Sequence, residues 1–239
     1  RGCLVHAQAL ELHVEDADFK PEPFEGFHFR HFNPESRYGG GSPSLSLNGQ
    51  GTLAGSSNLV IAPTLPSNNT APGPRSASLL VEVTDLNQQT LSRRAEFVRH
   101  SSDFYLGLRQ EAKVLKAGEV LPLEIVAVRA DGQPWPATVK ARLSLQRIDW
   151  QTVRIQGAGR TVRYRNEAVI THVLEQEIEV PPVQLPTEPG GEVIGQRVTG
   201  LPPLPAGEYC AQVRATDSGG RVVASSLQFD VTAPAFLGR

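Results

Sequence analysis

Apolar and polar residues alternate with a period of two wherever this chain shows a pattern. Leu10, Leu12 and Val14 interleave with Glu11, His13 and Glu15. Leu79, Val81 and Val83 lead into Asp85-Leu-Asn-Gln88, and Ala95, Phe97 and Val98 return. Leu121, Leu123, Ile125 and Ala127 precede the turn Asp131-Gly-Gln-Pro134. Val139, Ala141, Leu143 and Leu145 follow it, set between Lys140, Arg142, Ser144 and Gln146. Tyr209, Ala211, Val213 and Ala215 alternate with Cys210, Gln212 and Arg214. After Asp217-Ser-Gly-Gly220 the chain comes back through Leu227, Phe229 and Val231.

A period of two places apolar side chains on one face of a sheet and polar ones in water. Each Asp-bearing turn between two such runs predicts a hairpin. Phe27 and Phe29 against His28 and Arg30 predict a strand over 24–32, and short strands are expected around Leu45 and Leu47 and over 59–61. Residues 63–74 are Pro-, Ser- and Asn-rich and predict a loop. No window of a dozen residues has a 3.6-residue period. The expected fold class is all-β.

The hairpins ending in Asp85 and Asp217 match each other. With the two aspartates aligned, Leu79, Val81 and Val83 fall on Ala211, Val213 and Ala215. The offset between them is a domain's length. The chain reads as two tandem antiparallel β-sandwiches of immunoglobulin/fibronectin-like type, 1–102 and 103–239, meeting near Ser102. Residues 151–200 fit the second sandwich poorly. They hold Gly157-Ala-Gly159, Arg154, Arg160, Arg163, Arg165 and Arg197, a strand-like run over 173–180, and Pro181, Pro182, Pro186, Pro189, Gly190 and Gly191. Without about forty of these residues the second unit shrinks to the ~100 residues usual for such a sandwich. The segment is expected to be an insertion.

Composition narrows the function classes. The 22 glycines and 19 prolines lie in short clusters, as many short strands require. A net charge of −2 supplies no field for nucleic acid. No apolar run approaches a membrane span, so no membrane contact is expected. The absence of methionine and the Arg1 start suggest a piece excised from a longer protein. Cys3 and Cys210 are too few for a disulfide scaffold and are not spaced for zinc. They read as two partly buried thiols in separate units.

The order of several motifs resembles two adjacent domains of a bacterial α2-macroglobulin. They are Asp85-Leu-Asn-Gln88, His100-Ser-Ser-Asp-Phe-Tyr105-Leu-Gly107-Leu108, Ala117-Gly-Glu119, Ala130-Asp-Gly132, Trp150, and Pro205-Ala-Gly-Glu-Tyr209 leading to Ala215-Thr-Asp217. The resemblance runs from about Leu79 to Val231. It implies macroglobulin domains, of which the second carries a bait region that endopeptidases cut, so that the molecule rearranges and traps them. It further implies a non-enzymatic, extracytoplasmic protease inhibitor acting in bacterial defence, with neighbouring macroglobulin domains as partners and no cofactor.

On this reading the bait lies in 151–200. A protease needs about eight extended residues in its cleft, and only a segment with a low cost of local opening supplies them. Arg154, Arg160, Arg163, Arg165 and Arg197 suit trypsin-like enzymes, whereas Val162, Tyr164, Ile170 and Leu174 suit others. Periodicity over 161–166 equally fits a folded strand with Val162 and Tyr164 inside and Arg163 and Arg165 in water. The Cys-x-x-Gln thioester sequence of the family is absent: Cys3 leads to Leu-Val-His6 and Cys210 to Ala-Gln-Val213.

Other candidates read as structure. His28 and His31, three apart on an expected strand, point to opposite faces and cannot chelate. Glu15, Asp16 and Asp18 lack a calcium-loop spacing, and Gly39-Gly-Gly41 lacks the lysine and helix of a phosphate cradle. Asn68-Asn-Thr70 is formally a glycosylation sequon. Neither nucleophile motifs nor metalloprotease motifs occur, and no residue is nominated as catalytic or metal-binding. The alternative function is a tandem adhesion or carbohydrate-binding module, for which Trp135 and Trp150 are the available stacking residues. Accessory domains of a secreted hydrolase would leave 151–200 without a role.

Overall fold

Alternation writes a β fold, and the computed structural model is all-β. It describes residues 5–16, 19–32, 73–85, 88–111, 114–156, 162–188 and 190–233. The expected strands near Leu45 and over 59–61, the loop up to residue 72, Cys3 and Arg160 lie outside them. The chain divides into two units. Residues 5–16 and 73–101 belong to the first, and residues 19–32 and 102–233 to the second.

Among the described residues of the first unit, three antiparallel strands run in the order β1 (Val5–Asp16), β2 (Arg75–Asp85) and β3 (Thr90–Arg99). The predicted β2–β3 hairpin closes at Thr84↔Thr90. In its turn Gln88 adopts a left-handed conformation, φ 63°. The β3 strand is exposed along its whole length.

The second unit is a sandwich of two sheets. One has the order β5 (Leu115–Lys116), β11 (Val222–Thr232), β10 (Gly207–Thr216), β7 (Val139–Gln156), β8 (Val162–Val180). The other has the order β4 (Phe104–Gln110), β6 (Leu123–Arg129), β9 (Gln196–Arg197). Leu106, Leu108, Ile125 and Ala127 meet Leu143, Leu145, Val213 and Val223 in one core. The Tyr209 hydroxyl donates to the Pro205 carbonyl at 2.9 Å, fixing the entry to β10 as a tyrosine corner does.

Two expectations are corrected here. Residues 24–32 do not form a regular strand. A short 3-10 helix (Glu22–Phe24) leads into an extended run joined to β4 by the single bridge His28↔Leu108. Phe24, Phe27 and Phe29 are all buried, packed against one another and Phe19. One reason is Gly107: a Cβ there would come within 2.7 Å of the Phe29 ring, so only glycine lets the ring in. The Asp131-Gly132 turn forms, with Gly132 at φ 83°, but the hairpin lasts only to Trp135, whose amide bonds the Ala127 carbonyl. Beyond Pro136 the chain crosses to the other sheet, so β6 and β7 are not partners.

The internal repeat has a structural counterpart. The β2–β3 rungs Thr84↔Thr90 and Arg75↔Arg99 recur as Thr216↔Val222 and Gly207↔Val231 in β10–β11, at the offset that separates Asp85 from Asp217. The β1–β2 rungs Leu12↔Leu79 and Leu10↔Val81 recur as Leu145↔Ala211 and Leu143↔Val213. Gly220, φ 76°, holds the turn position of Gln88.

Candidate functional site

The β7–β8 hairpin outruns the sheet it belongs to. Its register is continuous from Val139↔Val180 to Gln156↔Val162, with one irregularity at Leu145/Gln146. At the base Val139, Ala141, Leu143 and Leu145 are buried and their neighbours Lys140 and Arg142 lie in water, as the alternation predicts. Ile148 is the last buried residue of β7. Trp150 is the last residue tied to the body, through Nε1–H donated to Glu208 Oε2 at 2.6 Å.

Residues 151–156 are then exposed on both faces, as are Val162 and residues 164–167 of β8. The alternative expectation of an inner face on Val162 and Tyr164 is therefore corrected: the strand exists, but Tyr164 is 71% exposed and Val162 39%. Sequence periodicity could not show this, because alternation marks a strand whether or not a layer covers it.

Among the described residues, what holds the distal ladder is backbone pairing and little more. Thr152 Oγ1–H donates to Asn166 Oδ1 at 2.8 Å, and Arg165 lies 3.7 Å from Glu167. An exposed two-stranded ribbon is marginally stable in water, and surface ion pairs add about 0–1 kcal/mol. Among the described residues β8 is also the edge of its sheet, with no strand paired on its outer side.

The nominated arginines do not form one group. Arg154 and Arg165 are exposed on the distal ribbon. Arg163 pairs through its backbone with Ile155, one rung from the last. Arg197 lies elsewhere, on β9 against β6. Its side chain is exposed but ion-paired, to Glu111 at 2.5 Å and to Glu124 at 3.5 Å.

Glu124 is the residue the alternation misplaced. The pattern sends it to water, yet its side chain is 2% exposed. The reason is that β6 is covered on both faces. It accepts from Arg109 Nε at 3.1 Å and Nη2 at 2.5 Å, and from the Gly195 amide at 3.4 Å. Burial pushes its carboxyl up, but the Arg109 hydrogen bonds and charge outweigh this and hold it below the usual range. The Arg109 guanidinium also stacks 4.4 Å over the Phe27 ring. Gly195 must be glycine, since a Cβ would sit 2.9 Å from the Ile125 carbonyl.

Together with buried Val193, Leu201 and Leu204, this cluster straps the stretch after β8 to the body. The expected single insertion over 151–200 is thus three things: a bare ribbon, core strand, and an anchored return. The run 173–180 is the base of β8.

The remaining candidates have structural roles. Burial pushes the Cys210 thiol up to about 11, which leaves it unreactive. His31 Nδ1 lies 3.1 Å from Gln212 Nε2, and His28 is exposed. Trp135 packs against Phe104 with ring centroids 5.1 Å apart; neither it nor Trp150 is an open stacking platform. Among the described residues no group of three or more His, Cys, Asp or Glu could hold a metal ion, and no helix is long and apolar enough to cross a membrane.

No family model and no curated protein sequence matches the chain. Solved structures do. The native conformation of Escherichia coli alpha-2-macroglobulin matches over 95% of this chain with a TM-score of 0.64 at 15% identity. Salmonella alpha-2-macroglobulin reacted with methylamine gives 0.61 at 14% over the same 95%. Escherichia coli alpha-2-macroglobulin activated by porcine elastase gives 0.59 at 15%, also over 95%. The chain spans 14% of the first two proteins and 18% of the third. At these identities the likeness establishes fold alone: an all-β stretch shaped like a small part of a bacterial alpha-2-macroglobulin.

Proposed function

We propose that this chain is part of an α2-macroglobulin-like protease inhibitor, non-enzymatic and extracytoplasmic, in which the distal β7–β8 ribbon is the bait. The observation that carries the reading is the six-rung ladder 151–156/162–167, which has no covering layer on either face beyond Trp150. An endopeptidase binds its substrate as one extended strand, so the ribbon must open first. With no core to uncover, opening costs little beyond the ladder's own hydrogen bonds, each worth about 1 kcal/mol net.

Arg154, Arg163 and Arg165, with Arg160 between the strands in sequence, then offer bonds to trypsin-like enzymes. Ile155, Val162 and Tyr164 offer bonds to enzymes preferring apolar residues. Arg197 is the poorest of the nominated sites, because two carboxylates hold it against β6. A cut near the tip leaves the basal halves of β7 and β8 in the sheet. The parent's response must therefore be read by domains that the ribbon touches, and neighbouring macroglobulin domains are the expected partners.

Limited proteolysis of the full chain tests this, with trypsin, elastase and a subtilisin-type enzyme at low ratio and cuts mapped by mass spectrometry. The expected result is that all three cut first within 151–167. First cuts within 181–200 or 63–74, or a ribbon left intact by all three, would overturn the reading.

A further inference from the structure

The two strands of the ribbon are held to the body unequally. β7 has β10 beside it as far as Ile148↔Glu208, and it is tied on both faces just beyond. On one face the Trp150 indole N–H donates to Glu208 Oε2 at 2.6 Å. Successive residues of a strand point to opposite faces, so Arg147 and Asp149 share the other. There Arg147 Nε donates to Asp149 Oδ1 at 3.1 Å, and the guanidinium lies over Gly207, where an added Cβ would sit 3.4 Å from Nε. This bracket spans the point where β10 begins and the sheet narrows to β7 and β8.

Among the described residues β8 has no such bracket. From Tyr164 to Val173 none of its residues is buried, and Ala168 and Ile170 are half-buried at most. Its side-chain bonds there are Asn166 with Thr152 and Arg165 with Glu167, both inside the ribbon. Val173 is also the extra residue of the register irregularity, since Leu145 pairs with Leu174 and Gln146 with His172. Firm anchorage starts one residue later. Leu174 and Ile178 pack on the core, Gln176 Nε2 donates to the Thr199 carbonyl at 3.3 Å, and Val180 is buried.

We propose that Glu208, acting through Trp150, is a positioning residue of the bait: it makes β7 the half that stays after a cut and leaves β8 as the half released, back to Val173. The inference rests on the reading of the ribbon as the bait and adds which half of it moves. While the chain is whole, residues 157–161 tether β8 to β7. A cut removes that tether. The β8 stump is then held over 164–173 by ladder hydrogen bonds alone, which an edge strand loses from its free end inward. Its departure makes β7 the new edge of the sheet, with a row of main-chain groups that the uncut ribbon keeps paired. Release runs to the same stop whichever tip bond is broken, so enzymes of different specificity yield one product state.

The test uses the full chain with 157–161 replaced by a thrombin recognition sequence, which places the nick without relying on the enzymes that cut the native ribbon. After nicking, a carboxypeptidase trims the β7 stump and an aminopeptidase the β8 stump, and mass spectrometry reads where each stops. The expected stops are Trp150 on β7 and about Val173 on β8. Glu208→Ala lacks the acceptor and Trp150→Phe the donor. Each should let the carboxypeptidase pass position 150 about tenfold faster, the size expected for a lost hydrogen bond to a carboxylate. Glu208→Gln keeps an acceptor oxygen and should hold the stop. The β8 stop stays near Val173 in all three, whereas general loosening of the unit would move both stops. Trimming of β8 no further than Ala168, the rung of Trp150, overturns the proposal. So does a carboxypeptidase that passes position 150 no faster in either Glu208→Ala or Trp150→Phe, or a Glu208→Gln chain trimmed like Glu208→Ala. None of these outcomes touches the bait reading, which stands or falls on where unrelated proteases first cut the native chain.

Discussion

Residues 151–167 and residues 181–200 look alike in sequence, and the fold treats them in opposite ways. Both are rich in loop-forming or exposed residues, and both carry arginine. In the first, the described residues 151–156 and 162–167 form a two-stranded ribbon that is exposed along its length. The second, though it has just two residues of strand, is held by Glu124, Arg109 and Arg197 and by buried Val193. Regular secondary structure is therefore the wrong guide to what a protease can open. Anchorage is the right one, because opening a segment costs the contacts it makes with the rest of the molecule.

The sharpest way to break the contrast is to remove its anchor. Glu124→Ala takes the buried carboxylate from the nearly buried Arg109, leaving it the exposed Glu192 at 2.6 Å and the Val193 carbonyl at 3.0 Å, and should cost the second unit up to about 3 kcal/mol in urea unfolding. Joined with Glu111→Ala, which removes the other carboxylate on Arg197, it should also turn Arg197 into an early tryptic site. If Arg197 stays uncut in a folded Glu111→Ala/Glu124→Ala chain, anchorage is not what protects it.

Leu143→Ala, in the buried base of β7, is expected to cost about 3 kcal/mol. Val153→Ala, further along the same strand, should cost less than about 0.5 kcal/mol. Similar losses at the two sites would mean the distal ribbon is covered after all.

Acid gives a smaller and graded effect. Glu124 and Asp217 both sit below their usual range in the folded chain. Asp217 is pushed up by burial but held down by amide hydrogen bonds from Arg221 and Asp103 and by the Arg221 side chain. A depressed carboxylate contributes stability above its unfolded pKa, ordinarily about 4, and loses it as pH falls through the folded value. Stability of the second unit should drop between about pH 5 and pH 2, and Glu124→Gln should flatten that slope.

The smallest effect concerns the matched turns. Gln88→Gly relieves a left-handed non-glycine residue and should stabilise the first unit by up to about 1 kcal/mol. Gly220→Ala should destabilise the second by a similar amount. Thermal unfolding followed separately in each unit measures both.

Much of the fold was legible. The runs ending at Asp85 and Asp217 are hairpins in identical register, and β7 begins where its alternation does, whereas β1 contains the run from Leu10 to Val14 but starts earlier, at Val5. The errors share one cause. Phe24, Phe27 and Phe29 mimic a strand but are core aromatics on an irregular segment, with Gly107 making room for Phe29. Glu124 sits at a polar position of a strand that is covered on both faces. Tyr164 sits at an apolar position of a strand that is covered on neither. The candidate arginines were legible as residues, but not their division between a bare ribbon and an anchored return.

The sequence by itself determined where strands run and where they turn, because period-two alternation and Asp/Gly turn chemistry are local and act within a few residues. It also determined that the stretches ending in Asp85 and Asp217 repeat. The tertiary structure alone decided which faces are buried. It sent β6 and β7 to different sheets across Pro136, put Glu124 inside, left Leu91 in water where Val223 is enclosed, and let the β7–β8 ribbon run past its core. Burial depends on which distant segments pack against a strand, and no local pattern carries that information.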